Sequence, residues 1–348
     1  MMAAQPLPQM QISILSLFSG CGGFDLGFVK AGFDVALALD IDRAAVDTYN
    51  YNHKGNRAEE CDISNTSGED IIKRLEKKAH FSPPRGIIGG SPCQSFSRGN
   101  VHFKADDIRH TLPRQYAKIL KVLNAHYNLD FFVFENVRGI TSEKHRETFG
   151  EFKELFIDAG FSLSEGLLDA LQFAVPQRRP RIFVVGLNTK KYGAPSFTFP
   201  TGNPKECRSV GSALKGLAEP AFFRRGIAVD NIPVHANHWT MMPKSEKFRN
   251  GFLKEGQRPG RSFRVLSWTE PSWTVAYGNR EIHIHPSGTR RLSVYEAMLL
   301  QGLPKTYVLK GNLSQQIRQV SDTVPSQVGE ALGKAIRSFL AEGTQVKP

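Results

Sequence analysis

A cysteine and a glutamate stand at the ends of two short apolar runs, and their types and places suit covalent chemistry on one substrate. Cys93 lies in Gly90-Ser91-Pro92-Cys93-Gln94-Ser95-Phe96-Ser97, directly after the run Gly86 to Ile88. A lone cysteine is most often a small buried hydrophobe. This one is flanked by Pro92 and by polar residues on a loop, a setting that favours a reactive thiolate. Glu135 follows the run Asp130 to Phe134 in the same way, opening Glu135-Asn136-Val137. Adjacent parallel strands lie ~4.8 Å apart, so groups at two such strand ends can face one substrate. A carboxyl emerging from Phe131-Phe132-Val133-Phe134 loses hydration, which raises its pKa and fits it to donate a proton.

A third feature concerns a cofactor. Ser19-Gly20-Cys21-Gly22-Gly23 separates a first apolar run, Ile12 to Phe18, from a helix-like stretch. Backbone rich in glycine can pass close to a ligand, because no Cβ intervenes. Asp40 ends the second apolar run and is placed to accept hydrogen bonds from ribose hydroxyls. The pair signals a nucleoside-type cofactor. A dinucleotide enzyme would carry G-x-G-x-x-G, and the G-x-G-G loop is too compact for a pyrophosphate. Asp62 reads either as an acceptor for an adenine amino group or as a turn residue.

The elements that must position these groups alternate in type. Ile12 to Phe18, Asp34 to Asp40, Gly86 to Ile88, Asp130 to Phe134 and Arg181 to Gly186 read as strands. Phe24 to Ala31, Ala44 to Asn50, Gly68 to Lys78, Pro113 to Ala125 and Arg146 to Ala159 read as helices. Such alternation predicts a parallel α/β sheet over residues 1–186. From Leu187 to Thr289 nine prolines punctuate the chain and no helical period survives, which predicts an irregular, β-rich lobe. Helices return at Ser293 to Gln301 and Ser326 to Leu340.

Charge follows the same division. The 348 residues carry 45 Lys+Arg against 33 Asp+Glu, a net +12. Residues 1–186 hold 22 basic and 22 acidic side chains, residues 187–289 hold 15 against 7, and residues 290–348 hold 8 against 4. The middle segment also holds all three tryptophans and four of the ten histidines. A solvated basic surface around a small tryptophan core is the plain reading; a face for nucleic acid is the one favoured here. Ordinary globular composition excludes a disordered chain. No apolar run nears the ~18 residues of a membrane helix, and residues 1–10 lack the apolar stretch of a signal peptide. Cys21, Cys61, Cys93 and Cys207 include no C-x-x-C pair, so a reducing, cytoplasmic setting is expected. His235-Ala236-Asn237-His238 and His283-Ile284-His285 lack cysteine partners, and no metal is expected.

With these residues in view, the chain resembles the DNA cytosine-5 methyltransferases that use S-adenosylmethionine. The resemblance runs in order through Phe18-Ser19-Gly20-Cys21-Gly22-Gly23, Asp40, Asp62-Ile63, Ser91-Pro92-Cys93-Gln94, Asp107-Ile108-Arg109, Glu135-Asn136-Val137 and Gln177-Arg178-Arg179-Pro180-Arg181. It resumes at Arg291-Leu292-Ser293 with Gln301-Gly302-Leu303-Pro304 and closes at Gln319 to Pro325. Each motif is weak alone; nine in the family's order, interrupted only by the basic segment, are strong.

The resemblance implies a Rossmann-like methyltransferase domain over 1–186, a mostly parallel sheet with helices on both faces. It further implies a small β-rich target-recognition domain over 187–289 and a segment 290–348 that returns to complete the catalytic domain. Cys93 matches the nucleophile that adds to carbon 6 of cytosine, and Glu135 the residue that binds and protonates nitrogen 3. Arg181 and Arg179 match arginines at the flipped cytosine and its phosphate. Phe18, Gly20, Gly22, Gly23, Asp40, Asp62, Ile63 and Pro92 match the cofactor pocket, joined by Asp322 and Thr323 from the closing segment. Ser321-Asp322-Thr323 stands where the family often has Gly-Asn before its Val-Pro.

Carbon 5 of cytosine is a poor nucleophile, so a thiolate adding at carbon 6 splits one hard step into two. The base must leave the stack, at a few kcal/mol. Gln94 to Arg109, including Ser97, is placed to close over it; a plain surface loop is the alternative. In the basic segment Arg224, Arg225, Lys244, Lys247, Arg249, Arg258, Arg261, Arg264 and Arg280 are candidate contacts to guanine edges or phosphates, most of them phosphate contacts.

The expected activity is methylation of a specific duplex DNA sequence by a monomer of the prokaryotic or phage modification type, lying with the nucleoid and working beside a cognate restriction endonuclease. S-adenosylhomocysteine would be the product. Transfer RNA as substrate, a catalytically inactive DNA-binding protein, and a nicotinamide dehydrogenase are the competing readings. The last has no use for Cys93 and Glu135 on neighbouring strands.

Overall fold

The computed structural model describes residues 11–79, 81–92, 111–224, 226–258, 263–274 and 283–343. The sheet begins with β1 (Ile12–Leu17), all of whose residues are buried. There follow α1 (Gly23–Lys30), β2 (Phe33–Asp40), α2 (Arg43–Asn52), β3 (Ala58–Glu60), α3 (Gly68–Glu76) and β4 (Gly86–Gly89). Then come α4 (Leu112–Tyr127), β5 (Phe131–Val137), α5 (Arg146–Asp158), β6 (Phe161–Asp169), β7 (Gln177–Arg178) and β8 (Pro180–Asn188). Local chemistry sets several boundaries. The Asp42 carboxylate accepts from the N–H groups of Ala44 and Ala45, and Ser67 from that of Asp70, capping α2 and α3.

Seven strands form one sheet in the order β3-β2-β1-β4-β5-β8-β6. The first five pair in parallel, as expected. β8 runs antiparallel to both β5 and β6. The β5-α5-β6 crossover leaves an empty slot, and the chain turns straight back from β6 to fill it. A connection of that kind has no room for a crossover helix, so β8 must be antiparallel. Along β5 the side chains alternate between two cores. Phe132 and Phe134 join Tyr116, Leu120, Phe152 and Phe156, while Phe131 and Val133 join Phe28, Ile88 and Phe183. Burial on both faces explains why these strands read as continuous apolar runs.

Beyond β8 lie α6 (Thr189–Tyr192) and α7 (Val210–Leu214), then strands of two residues each: β9 (Ala221–Phe222), β10 (Trp239–Thr240), β11 (Arg264–Val265), β12 (Ser272–Trp273) and β13 (His283–Ile284). β9 pairs with β10, β11 with β13, and β12 with β7. Phe248, Leu253, Val265 and Ile284 make a small core of their own. Most of the segment's other apolar residues are not independent. Val210, Leu214, Leu266 and the three tryptophans pack with α8 (Val294–Leu300) and α9 (Leu313–Asp322). The tryptophans thus serve chiefly as packing, nearer to the plain reading of that segment.

α9 is a helix that periodicity did not predict. Its buried residues are Gln316, Ile317, Gln319 and Val320, half of them polar, so no apolar period shows; the visible signal is a capping box between Asn312 and Gln315. α10 (Ser326–Gly343) lies against α1, with Gly27 and Gly329 at the close approach. Among the described residues no helix is long and apolar enough to cross a membrane.

Candidate active site

β1 connects toward β2 on one side of the sheet, while β4 connects toward β5 on the other. The strand order therefore reverses between β1 and β4, where open α/β sheets hold ligands beyond their carboxyl ends. The glycine loop leaves β1 there, Ser91 and Pro92 leave β4, and Asp40 and Glu135 stand on the flanking strands.

On the β1 side the backbone is left-handed at Phe18 (φ 55°), Gly20 (53°) and Gly22 (86°). The Gly20 N–H donates to Asp40 Oδ2 at 2.8 Å and the Asp42 N–H to Oδ1 at 2.9 Å. Burial raises the Asp40 pKa against those two donors. The Ser19 hydroxyl is buried with no hydrogen-bond partner among the described residues, and the space beside the Gly20 Cα is open. An orphaned donor beside an open, carboxylate-backed loop fits a polar nucleoside ligand.

Gly23 has a different reason to be glycine: a Cβ there would overlap Thr323 and crowd Val324 O. Thr323 is buried, and its hydroxyl bonds to the Cys21 thiol. Its hydroxyl contact is with the loop itself. Asp62, read from sequence as an adenine acceptor or a turn residue, makes local contacts. Its carboxylate accepts from Ser64 N–H (3.0 Å), Ser64 Oγ (2.6 Å) and Asn65 Nδ2 (2.7 Å), bonds that hold its pKa low. It is the cap of a short turn. Ile63 is buried in the core with Leu15 and Ile71.

On the β5 side, Glu135 Oε1 pairs with Arg181 Nε at 3.1 Å, both side chains almost enclosed. Burial raises the Glu135 pKa, opposed by Arg181 and then Arg179. Arg179 is itself buried and its Nη2 donates to Ser321 O at 2.8 Å. That bond ties the carboxyl's neighbours to the last turn of α9, where Asp322 stands. The Asp322 side chain is 60 % exposed and 3.5 Å from Arg318. Surrounding protein still raises its pKa, as at a concave mouth, and its charge reaches both Asp40 and Glu135. Gly90 brings the β4 loop against this acid, since any Cβ there would strike Glu135 Oε2. Asn136 Nδ2 donates to Ser91 O at 3.4 Å, a second tie between the two strand ends.

Cys93, Ser97, Arg109, Arg225, Arg261 and Arg280 lie outside the described residues. Arg224 is exposed and Arg264 half-buried on β11. Of the described thiols, Cys21 is unsuited to nucleophilic work: burial pushes its pKa to about 12, and it donates to Gln319 O. His238 bonds to Ser293 Oγ and Ala218 O, and His235 stacks on Tyr295 at 4.3 Å. Among the described residues no three potential metal ligands come together.

Sequence reasoning passed over a buried set behind the glycine loop. Asp25 accepts from Ser16 Oγ and Tyr49 OH, each at 2.9 Å, and burial pushes its pKa to about 7. Tyr49 stacks on His53, His53 Nε2 lies 3.2 Å from Tyr307 OH, and that hydroxyl donates to Cys21 O. The available signal was an acid between Phe24 and Phe28 on the inward face of α1.

The sheet, the glycine loop and the acid-backed concavity define a Rossmann-like methyltransferase. A model of C-5 cytosine-specific DNA methylases matches residues 12–338, and the chain belongs to that family. It is a DNA cytosine-5 methyltransferase, a family whose methyl donor is S-adenosylmethionine. Type II methyltransferase M.NmeDI of Neisseria meningitidis serogroup C is 30% identical over 94% of this chain and 84% of its own length. M.MthTI of Methanothermobacter thermautotrophicus is 31% identical over 95% and 98%. The fold resembles a crystal structure of a DNA modification methyltransferase encoded within an E. coli prophage (TM-score 0.75, 24% identity, 95% and 100% covered). It also resembles the Dnmt2 methyltransferase of S. pombe (TM-score 0.63, 18% identity, 96% and 99% covered).

Proposed function

We propose that the protein methylates carbon 5 of cytosine within a specific duplex DNA sequence, through a covalent bond between Cys93 and the base. The carrying observation is Glu135: a carboxyl with a burial-raised pKa at the end of β5, against the β4 loop that leads into Cys93. The Cys93 thiolate adds to carbon 6 and the ring π electrons shift toward carbon 5. Glu135 donates to nitrogen 3, so the charge that develops there meets an acid already in place. S-adenosylmethionine, when bound, supplies an electrophilic methyl group for carbon 5. Loss of the carbon-5 proton then expels the Cys93 thiolate and restores aromaticity.

Asp40, Ser19 and the Phe18–Gly23 loop would hold the cofactor, with Asp322 at the opposite rim. Arg181 would orient Glu135 and face the extruded cytosine, Arg179 would fix the α9 turn, and Ser97 and Arg109 would close over the base. We assign 1–186 and 290–348 to the catalytic domain and 187–289 to target recognition, where Arg224, Arg225, Arg261, Arg264 and Arg280 are the proposed DNA contacts. The type II relatives support a modification role; a cytoplasmic monomer working beside a cognate endonuclease completes the proposed reading.

Incubation with methyl-labelled cofactor should place label on duplex DNA and form a stable adduct with DNA containing 5-fluorocytosine. Transfer of label to transfer RNA in preference to any duplex would defeat the DNA assignment. Failure to form an adduct would defeat the covalent one. Bisulfite sequencing of DNA from expressing cells would identify the target.

A further inference from the structure

Arg258 is exposed, and its guanidinium carbon lies 3.8 Å from the centre of the Trp273 ring. That separation is about the thickness of two π systems, so the guanidinium must lie flat on the indole. Stacking removes much of the rotamer freedom an arginine ordinarily loses on binding and leaves its donors pointing outward in the ring plane. Among the described residues no hydrogen bond or ion pair occupies those donors. Other cations of this part of the chain are engaged differently. Arg290 is locked to Glu296 and Glu219, and Lys247 rests over Phe263.

The platform under Arg258 is fixed to the catalytic half. Trp273 is on β12, in register with Arg178 of β7. Ser272 N–H donates to Pro176 O at 2.9 Å, and Thr274 Oγ1 to Arg178 O at 2.7 Å, so bonds flank the tryptophan on both sides. Three residues on from Arg178 stands Arg181, paired with Glu135. Extended chain advances ~3.3 Å per residue, so at most ~10 Å of backbone separates the strand under the platform from Arg181. Stacked bases advance ~3.4 Å per step, so a span of at most that length covers no more than about three base pairs.

We propose that Arg258 is a specificity-determining residue that reads the N7 and O6 edge of a guanine within about three base pairs of the target cytosine. The inference rests on the DNA-methylating reading above. A flat, preorganised and unpaired fork is the group that binds that edge through two hydrogen bonds. A lysine at this position would supply the charge without the fork.

The test uses the full-length enzyme on a library of duplexes randomised around cytosine, read by bisulfite sequencing. Wild-type methylation of a defined motif establishes the underlying reading independently of Arg258. Arg258→Ala and Arg258→Lys should each relax discrimination at one guanine position by roughly ten- to hundredfold while other positions keep their preference. Substituting 7-deazaguanine at that position should slow the wild-type enzyme severalfold and leave Arg258→Ala unaffected. Trp273→Leu should reproduce part of the loss. Cofactor binding by calorimetry checks that each variant is folded. If Arg258→Ala instead slows every sequence equally and lowers the salt dependence, Arg258 is a phosphate contact and the proposal fails. It fails equally if the motif read by the variants is unchanged.

Discussion

The two halves of the molecule are built to different tolerances. β1, β2, β5 and β8 run six to nine residues and are buried over most of their length. Among the described residues every strand beyond Asn188 has two residues, and most of their support comes from α8 and α9. Long strands covered on both faces hold Glu135 and the β4 loop in a fixed relation, as chemistry at one ring requires. Short strands between prolines hold exposed cations over a surface, as contact with a long polyanion requires. Charge follows the difference: residues 1–186 are neutral and residues 187–289 carry +8.

The sharpest way to break this comparison is at the nucleophile. Cys93→Ser should lower methyl transfer by about 10⁴-fold or more, the scale seen when a covalent nucleophile is lost. Duplex affinity and cofactor affinity should barely change. Residual activity near the wild-type level would mean that the β4 end does not supply the attacking atom. Glu135→Gln should cost about 10²- to 10⁴-fold, the usual worth of a positioned acid. Because burial raises its pKa, wild-type activity should fall at high pH as Glu135 loses its proton, and that limb should vanish from the variant's profile.

A smaller effect probes the fit between strands. Gly90→Ala adds a single carbon, but that carbon would meet Glu135 Oε2. Displacing the acid by about 1 Å should cost roughly 10²-fold in turnover, with cofactor binding intact. A fully active Gly90→Ala enzyme would show that the relation of the two strand ends is looser than the geometry implies. On the recognition side the expected change is milder and of another kind. Arg224→Ala should reduce the slope of log affinity against log salt by about 0.9 if it meets one phosphate, equally for all sequences. Cofactor affinity falling with it would erase the proposed division of labour.

The halves also differ in how much of them could be read from sequence. Apolar runs and β-branched residues announced β1, β2, β4 and β5, because burial on both faces leaves a continuous signal. β6, Phe161–Asp169, was not predicted: it lies at the sheet edge with Ser, Glu and Gly interspersed. α9 carries too few apolar residues to show a period. Site residues followed the same logic. Glu135 and Gly20 stood out because strand ends and local backbone mark them. The neighbours of Thr323 and Asp62 were not legible, because they are set by what packs beside them: Gly23 in one case and the Ser64 turn in the other. Trp273 under Arg258 could not be read at all, since they stand fifteen positions apart with no periodic pattern to bring them together.

The mildest prediction concerns the buried acid that neither half's chemistry requires. Asp25 sits on α1 behind the glycine loop, bonded to Ser16 and Tyr49, with a folded pKa of about 7 against an ordinary value of 3.8. Desolvation is the chief cause, so the native state favours the protonated form. Between those two pH values the folded protein binds the proton and the unfolded chain has released it. Stability must then fall as pH rises from about 4 toward 7, and level off above the folded pKa. Asp25→Asn keeps the shape and removes the titration. The wild-type midpoint of thermal unfolding should therefore drop by a few degrees between pH 5 and pH 8 relative to the variant. Because Asp25 shares its network with Tyr49, which stacks on His53 beside Gly22, cofactor affinity should weaken over the same interval in the wild type only. Arg258-dependent specificity should not move. Parallel curves for wild type and Asp25→Asn would mean that the carboxyl titrates alike in the folded and unfolded chains, so that burial does not hold its proton.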